Sequence, residues 1–382
     1  MKKLDLELLS AKIESRVNAD IAAHNICGAS IVINQGGKRL LTRHFGVSSP
    51  ETNAALDGDN LYRLASMTKP IMAVTVMTLV EKGEIGLDDP VEKYLPVFAD
   101  MQIGEPSPEG ELRRVGPNPT KPTVRHLLSH TSGIGSGWVG DKTFAMMTPE
   151  EHRTLENAVN AYAGQLLSFE PGTKQEYSPI AAFDVLARIV EVVSGTDIES
   201  YMRKTVLEPC GMVDTTFVPS DEQRARLVAM HKKTENGSEA DHMPDAAVFE
   251  CIPVTHPLGG GGLVSSAEDY SKFAEMLLCG GLCGDRRIIS EQSVAEIAKV
   301  QVPLDFHPES EHWGLGVRVI SGEGYKKLPV GTFGWSGAYG THFWVDPVNR
   351  VTAIYMKNSR HDGGSGAQTA SNFEQDVFDS FE

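Results

Sequence analysis

Apolar residues recur at intervals of three and four near the start of the chain, with polar residues between them. These apolar positions are Leu6, Leu9, Ile13, Val17 and Ile21. This spacing places them on one face of a helix, so an amphipathic helix is predicted over residues 4–24. Two strand-like runs follow at 28–34 and 38–46, and a Gln-Gly-Gly turn at 35–37 separates them. The two runs are therefore predicted to form a β-hairpin.

Helical periodicity dominates the middle of the chain. A long apolar run after Lys69 predicts a helix that ends near Gly83. From about residue 100 to residue 300 the pattern stays mostly helical, and loops rich in proline and glycine interrupt it. An Asn-Gly pair at 236–237 indicates a hairpin turn within this region. The clearest predicted helices of the region are 123–128, 182–194, 196–206 and 267–279.

Short β-rich runs prevail after about residue 310, and a last helix is predicted at 369–380. The runs read WGLGVRVI, GTFGWSG, THFWVD and VTAIYMKN. Strands near both ends of the chain predict an α+β fold, an α/β sandwich in which one antiparallel sheet is flanked by helices. The predicted domains are a sheet domain, 1–65 with 305–382, and a large, mainly helical inserted domain, 66–304. The active site is expected between them.

The composition is that of an ordinary globular protein, with 382 residues, 41% hydrophobic and 23% charged. A formal net charge of −16 at pH 7 disfavours binding to nucleic acid or to anionic lipid, because both require a basic surface. No apolar stretch approaches the length of a membrane span or a secretion signal, so we expect a cytoplasmic protein without a membrane partner. The five cysteines fit neither a disulfide framework nor a zinc site, so no metal is expected.

Ser66 and Lys69 stand where the long apolar helix begins, in the stretch LASMTKP. Three residues apart on a helix, a serine hydroxyl and a lysine amine lie on one face and can approach each other. Free N–H groups at the first turn favour negative charge that develops there. A serine cap followed by a solvated lysine fits the same short pattern. The apolar residues 70–73 after the lysine favour its burial.

Two further segments offer candidate chemistry. Tyr177 lies in a loop before a predicted helix, where a phenol can act as a general base beside a lysine ammonium. A half-buried structural tyrosine fits that position equally well. Residues 331–347 place several glycines among aromatic residues, so a strand edge there can offer an N–H to an oxyanion. An ordinary glycine-kinked strand is the alternative.

Taken together, three short elements resemble the motifs of the serine β-lactamase-like, penicillin-binding-protein-like hydrolases. They are Ser66-Met67-Thr68-Lys69, Tyr177-Ser178 and Trp335-Ser336-Gly337. Their order and spacing are similar to those of the class C β-lactamases and their esterase relatives. Three longer stretches, at 124–135, 168–195 and 257–278, also look like this family. The resemblance extends from about residue 25 to residue 358.

Two departures from the class C pattern indicate the subfamily. Pro179 stands where Tyr-x-Asn has its asparagine, and Trp335 stands where Lys-Thr-Gly has its lysine. Without that lysine, the cation that would hold a β-lactam or peptide carboxylate is missing. An aromatic ring there favours a neutral, apolar group. Tyr-Ser-x with Trp-x-Gly is similar to the family VIII carboxylesterases, so the resemblance implies ester hydrolysis before β-lactam hydrolysis.

The resemblance also implies a mechanism that uses no cofactor. Ser66 Oγ attacks the carbonyl of a small-molecule ester, and Lys69 and Tyr177 share its proton. The backbone N–H groups of Ser66 and Ala338 hold the oxyanion. Tyr177 protonates the leaving alkoxide and then activates water for deacylation. The expected substrate-binding residues are Trp335, Gly337, Tyr339, Phe333, Trp138 and His342.

Several alternatives stay open. The same fold supports a β-lactamase, a D-amino-acid peptidase or amidase, an acyltransferase, or a ligand-binding protein without catalysis.

His126 and His130 have the spacing of a metalloprotease helix, but no glutamate stands between them. The glycine run 259–262 is expected to be a loop packed near the active site rather than a phosphate cradle. The oligomeric state is not fixed by the sequence.

Overall fold

The computed structural model describes residues 1–235, 237–241, 256–302, 310–322, 325, 327–364 and 366–382. The helices are α1 (Leu6–Ala22), α2 (Thr68–Glu81), α3 (Val124–Leu128), α4 (Gly137–Ala145), α5 (Leu155–Ala163), α6 (Ala181–Ser194), α7 (Ile198–Met202), α8 (Asp221–Ala225), α9 (Ala267–Leu278), α10 (Glu291–Ile297) and α11 (Gln368–Phe378). The strands are β1 (Gly28–Gln35), β2 (Lys38–Gly46), β3 (Tyr62–Arg63), β4 (Gln102–Pro106), β5 (Leu112–Pro117), β6 (Leu166–Leu167), β7 (His231–Thr234), β8 (Gly237–Ala240), β9 (Val264–Ser265), β10 (Leu282–Cys283), β11 (Arg286–Arg287), β12 (Glu311–Trp313), β13 (Arg318–Ile320), β14 (Phe333–Ser336), β15 (His342–Asp346) and β16 (Val351–Met356).

The main sheet is built from both ends of the chain. Its order is β12-β13-β14-β15-β16-β1-β2. Every neighbouring pair in it is antiparallel. The β1 strand pairs with β16 on one side and β2 on the other, so the first strand of the chain joins the last one. This arrangement confirms the predicted α+β fold with an antiparallel sheet.

Each face of this sheet covers a different hydrophobic core. Successive residues of a strand point to opposite faces. On one face, Ile31 and Trp344 pack with α1 and α11, and the Trp344 and Phe373 rings lie 4.8 Å apart. On the other face, Val32 and Phe343 join the larger core formed with the helices from the middle of the chain. The candidate site lies on this second face.

Most predicted elements agree with the structure within a few residues. The α1 helix buries Leu9, Ile13 and Val17 as its spacing requires, whereas Leu6 in its first turn is exposed. The hairpin of β1 and β2, the helices at α6 and α9, and the final helix at α11 are all present. The α2 helix has almost every side chain buried, because it runs through the core rather than over its surface.

The region from 100 to 300 is less uniformly helical than predicted. β4 and β5 form a hairpin, and β6 adds a parallel strand to it. Strands this short leave too few alternating positions for a period of two to be visible. The hairpin predicted at 236–237 is confirmed by the pairing of β7 with β8, although Asn236 lies outside the described residues. The domain boundaries at 65 and 305 stay a prediction.

Four of the five cysteines lie in the described part of the chain. Cys27, Cys210, Cys279 and Cys283 are free thiols, and the first two are buried. Cys251 lies outside the described residues. Of the helices that the structure describes, none combines the length and the apolar character needed to cross a membrane.

Candidate active site

Ser66 lies in one turn of 3-10 helix directly before α2. Two contacts fix the residue that leads into this turn. The N–H of Leu64 donates to the carbonyl of Leu263 over 2.9 Å, and Thr341 Oγ1 donates to the carbonyl of Leu64 over 2.9 Å. Ala65 adopts a positive φ of 47°, a conformation that costs energy for a residue with a Cβ. The surroundings thus hold the serine in a fixed, slightly strained turn.

Lys69 follows one helical turn later, and its side chain is fully buried. Its Nζ lies 3.2 Å from Ser66 Oγ, 2.6 Å from the carbonyl oxygen of Pro179 and 2.7 Å from that of Gly260. The two carbonyls can only accept hydrogen bonds. If the amine is neutral, its two N–H groups donate to these two carbonyls, and its lone pair is directed at Ser66 Oγ. An ammonium places its third N–H on the same atom, so both protonation states fit.

Tyr177 approaches Ser66 from the loop before α6. Its hydroxyl donates to Ser66 Oγ over 2.8 Å and accepts from Trp335 Nε1 over 3.3 Å. The Lys69 Nζ lies 4.9 Å from the centre of the Tyr177 ring. The serine oxygen thus contacts both a phenol and an amine, and the structure brings the three predicted catalytic side chains together.

The position of Tyr177 is fixed by aromatic contacts to its ring and by hydrogen bonds of the backbone on either side of it. It lies 4.4 Å from the His130 ring and stacks on Trp313 at 5.7 Å, with 19° between the planes. His130 also accepts the N–H of Glu176 at its carbonyl and the N–H of Ser178 at Nδ1. These two bonds lie on either side of Tyr177, so His130 has a structural role. His126 closes a capping box with Thr123 at the start of α3.

Gly337 brings the end of β14 against the Ser66 turn. A Cβ at this position would lie 2.2 Å from the carbonyl oxygen of Leu64 and 2.2 Å from Thr341 Oγ1, so only glycine fits. The next residue, Ala338, is exposed. Within the described ranges, neither its N–H nor that of Ser66 donates to another protein group. Their pairing as an oxyanion hole stays a prediction.

The other predicted pocket residues are placed unevenly. Trp335 lies beside Tyr177, with 5.6 Å between their rings. Tyr339 packs against Ala65, the residue before Ser66. Phe333 lies on the same side of β14 as Trp335, and both belong to the larger hydrophobic core. Trp138 is 37% exposed on α4, and the Lys142 ammonium lies over its ring.

His342 does not line the cleft, so this prediction is wrong. Trp335 and Ser336 are neighbours on β14 and therefore point to opposite faces of the sheet. His342 pairs with Ser336 in register and bonds to its hydroxyl over 2.7 Å. Its other ring nitrogen lies 3.1 Å from Glu374 on α11. The histidine thus belongs to the face away from Ser66.

The structure adds functional groups that residue patterns did not reveal. The carbonyls of Pro179 and Gly260 hold Lys69, and a backbone carbonyl leaves no signature in residue type. Trp313, from the β-rich run after 310, supports the Tyr177 ring. The glycine run at 259–262 was expected near the site, and the Gly260 contact confirms this. Among the described residues, no cluster of three or more His, Cys, Asp or Glu could hold a metal ion.

The fold and this site define a serine hydrolase of the β-lactamase fold. The Beta-lactamase family model matches residues 13–373, so the chain belongs to that family. The resemblance to β-lactamase-like and penicillin-binding-protein-like hydrolases is thereby confirmed.

Relatives that match the same share of this chain are named as an esterase in one case and as a penicillin-binding protein in another. Esterase EstB of Burkholderia gladioli is 28% identical in an alignment 393 positions long, which covers 96% of this chain and 94% of the esterase. Penicillin-binding protein 4 of Amycolatopsis lactamdurans is 29% identical over 371 residues, 96% of this chain and 87% of that protein. Among solved structures, EstCE1, a hydrolase with promiscuous acyltransferase activity, superposes with a TM-score of 0.82 at 22% identity, over 98% of this chain and 99% of that one.

Proposed function

We propose that this protein is a serine carboxylesterase of the family VIII type that cleaves small esters through an acyl-enzyme on Ser66. The observation that carries the proposal is the pair of contacts at Ser66 Oγ, 2.8 Å to the Tyr177 hydroxyl and 3.2 Å to Lys69 Nζ. A serine that touches a buried amine and a phenol has a base that can take its proton and an acid that can protonate the leaving group. The proposed partner is a small-molecule ester, and the steps need no cofactor.

In acylation, Ser66 Oγ attacks the ester carbonyl as its proton passes to a neutral Lys69 amine, or to Tyr177 once Tyr177 has given its own proton to Lys69. The lone pair of a neutral Lys69 is aimed at Ser66, because the carbonyls of Pro179 and Gly260 occupy its two N–H groups. Tyr177 then delivers a proton to the leaving alkoxide, so the alcohol departs neutral. The acyl group stays on Ser66 as an ester.

In deacylation, the same groups act on water. Tyr177, a phenolate after it has protonated the alkoxide, takes a proton from the water that attacks the acyl carbonyl. As the acid leaves, Ser66 Oγ is reprotonated by whichever of Lys69 and Tyr177 took its proton in acylation, which restores the starting charges. The N–H groups of Ser66 and Ala338 are proposed to stabilise the oxyanion in both steps. Charge is thus redistributed among three fixed side chains without an external acid or base.

Trp335 favours an ester over a carboxylate-bearing amide. Its indole N–H donates to the Tyr177 hydroxyl, where a lysine of the Lys-Thr-Gly type would place an ammonium. An indole offers no full positive charge to the carboxylate of a β-lactam or peptide. The likeness to Esterase EstB, over almost the whole of both chains, supports the same choice.

The test compares short-chain p-nitrophenyl esters with the β-lactam nitrocefin, in wild type and Ser66→Ala. Ester turnover is expected to exceed nitrocefin turnover and to fall about 10³-fold or more in the variant, because the nucleophile is lost. Ser15→Ala is the matched control, since Ser15 is exposed on α1 behind the sheet. Nitrocefin turnover as fast as ester turnover would favour a β-lactamase, and no turnover of either would favour a non-catalytic protein.

A further inference from the structure

The two carbonyls that hold Lys69 come from separate parts of the chain. Pro179 precedes α6, and Gly260 lies in the glycine loop at 259–262. Their distances to Nζ, 2.6 and 2.7 Å, are set by how these two segments lie against each other. A side chain that ties the segments together therefore controls the direction of the amine.

Asp184 is such a side chain. It lies in the first turn of α6, with no exposed surface. Its Oδ1 accepts the N–H of Gly259 over 2.8 Å, and its Oδ2 accepts the Tyr162 hydroxyl over 3.2 Å. The carboxylate thus joins the glycine loop to α6, the helix that follows Pro179. Its contact in the loop, Gly259, is one residue before Gly260, whose carbonyl binds Lys69.

The glycine loop and the start of α6 pack backbone against backbone, with no space for a side chain between them. A Cβ at Gly259 would lie 2.3 Å from the carbonyl oxygen of Phe183. A Cβ at Gly260 would lie 2.7 Å from the carbonyl oxygen of Pro179. Backbone lies on backbone here, so a shift of the glycine loop changes the distance from Gly260 to Lys69 directly.

A buried histidine lies near the same carboxylate. His256 Nε2 lies 3.8 Å from Asp184 Oδ2, and His256 Nδ1 donates to the His152 carbonyl over 2.7 Å. Burial lowers the pKa of His256, but the nearby Asp184 outweighs this effect and raises the pKa overall. Burial and the same carboxylate raise the pKa of the Tyr162 hydroxyl, so the phenol keeps its proton for Asp184.

We propose that Asp184 is a positioning residue for the activation of Ser66. It holds Gly259 so that the Gly260 and Pro179 carbonyls together direct the Lys69 amine at Ser66 Oγ. Asp184 touches neither the substrate nor the reacting atoms, and its effect passes through the glycine loop. The inference rests on the proposed function, because it assigns Lys69 as a proton acceptor.

The test measures two quantities in wild type, Asp184→Ala and Asp184→Asn. One is the rate at which a fluorophosphonate labels Ser66, with loss of fluoride, per folded molecule. The other is the split between kcat and KM for a p-nitrophenyl ester. Asp184→Ala is expected to lower the labelling rate and kcat about tenfold or more, because the base is misdirected. KM is expected to change less than about twofold, since no substrate contact is lost.

Asp184→Asn separates positioning from charge. Its amide oxygen can still accept the Gly259 N–H, so it is expected to restore labelling to within about threefold of wild type. Asp269→Ala is the matched control, because Asp269 is also a buried aspartate that accepts a backbone N–H, from Asp214 over 2.7 Å. It is expected to lower the thermal midpoint while kcat stays within about twofold of wild type.

Labelling of Asp184→Ala at the wild-type rate overturns the inference, and so does an equal loss in Asp269→Ala. If Asp184→Ala does not fold, Gly259→Ala replaces it, because its Cβ pushes the loop away from Phe183 and should give the same kinetics. A wild type that is neither labelled nor active on esters overturns the proposed function itself. A labelled wild type with an unaffected Asp184→Ala overturns only the positioning role.

Discussion

At the scale of single residues, Ser66 Oγ has one proton and two neighbours that can exchange it. Tyr177 donates its hydroxyl to this oxygen, whereas Lys69 can donate or accept according to its protonation. The two groups reach Ser66 from different segments, so each can be changed while the other keeps its place. Their contributions are therefore separable by substitution.

Tyr177→Phe tests the role of the phenol. The variant keeps the ring that packs on His130 and Trp313 but loses the hydroxyl that contacts Ser66. Ester kcat/KM is expected to fall about 10²–10⁴-fold, the usual contribution of a general acid or base. The thermal midpoint should hardly change, because the buried ring surface is the same.

The matched control for this prediction is Tyr201→Phe. Tyr201 also loses a buried hydroxyl bond, to Thr78 at the far part of α2, without any contact with Ser66. It is expected to cost about 1 kcal/mol of stability and little activity. Equal ester turnover by Tyr177→Phe and wild type would contradict the acid–base role of Tyr177.

Residue types revealed part of the site and could not reveal the rest. Ser66, Lys69 and Tyr177 were found because their side chains form a recognisable ordered pattern, and the structure brings them together. The carbonyls of Pro179 and Gly260 act through backbone atoms, which every residue carries. His342 was misplaced because strand register, which decides its face, depends on pairing with β14 rather than on local sequence.

At the scale of elements, α11 and β13 are joined beneath β14 by a buried ionic cluster. The Arg318 guanidinium lies 2.5 Å from the Glu374 carboxylate. The same carboxylate accepts a hydrogen bond from His342 Nε2, and His342 Nδ1 bonds to the Ser336 hydroxyl. Burial alone would raise the pKa of Glu374, but the Arg318 charge and the His342 bond lower it to about 2. Burial lowers the pKa of His342, and Glu374 offsets this only in part.

Glu374→Gln is expected to destabilise the fold in a pH-dependent way. The variant leaves the buried Arg318 charge without the Glu374 negative charge, which should lower the free energy of unfolding by about 3 kcal/mol near neutral pH. The carboxylate stabilises the folded state above its ordinary pKa of 4.5, and this contribution disappears as pH falls toward 2. The difference between wild type and variant should therefore shrink in acid, as measured by urea unfolding at about pH 7 and about pH 3.5.

Asp379→Asn is the control, because Asp379 directly follows the last residue of the same helix, α11. Asp379 pairs with Lys12 over 3.2 Å on the surface, and exposed ion pairs contribute about 1 kcal/mol or less. Its effect should be small at both pH values. A Glu374→Gln variant with the same loss at both pH values would refute the assignment of this acid sensitivity to Glu374.

Elements with a strong local pattern were predictable, and those stabilised by distant contacts were not. The α1 helix and the β1–β2 hairpin show their periodicity within the segment itself. β4, β5 and β6 are strands of two to six residues that exist because they pair with one another. Sequence pattern therefore located the main sheet but missed the small sheet within the helical region.

At the scale of the whole molecule, the sheet separates two cores, and the surface carries a large negative charge. The site lies on one face, and the ionic cluster of Glu374 lies on the other. The formal net charge is −16 at pH 7, so the average potential around the protein repels anions. Salt screens this potential over about 8–10 Å at physiological ionic strength.

This charge predicts discrimination between esters of equal size. The p-nitrophenyl monoester of succinate, an anion, should show a kcat/KM several-fold lower than neutral p-nitrophenyl butyrate at low salt, because the field lowers its local concentration. The gap should narrow as sodium chloride rises from about 10 mM to about 0.5 M, because the ions screen the field. The neutral ester serves as the control for direct effects of salt on the enzyme. A ratio that does not change with salt would place the discrimination in local contacts around Trp335 instead of in the overall charge.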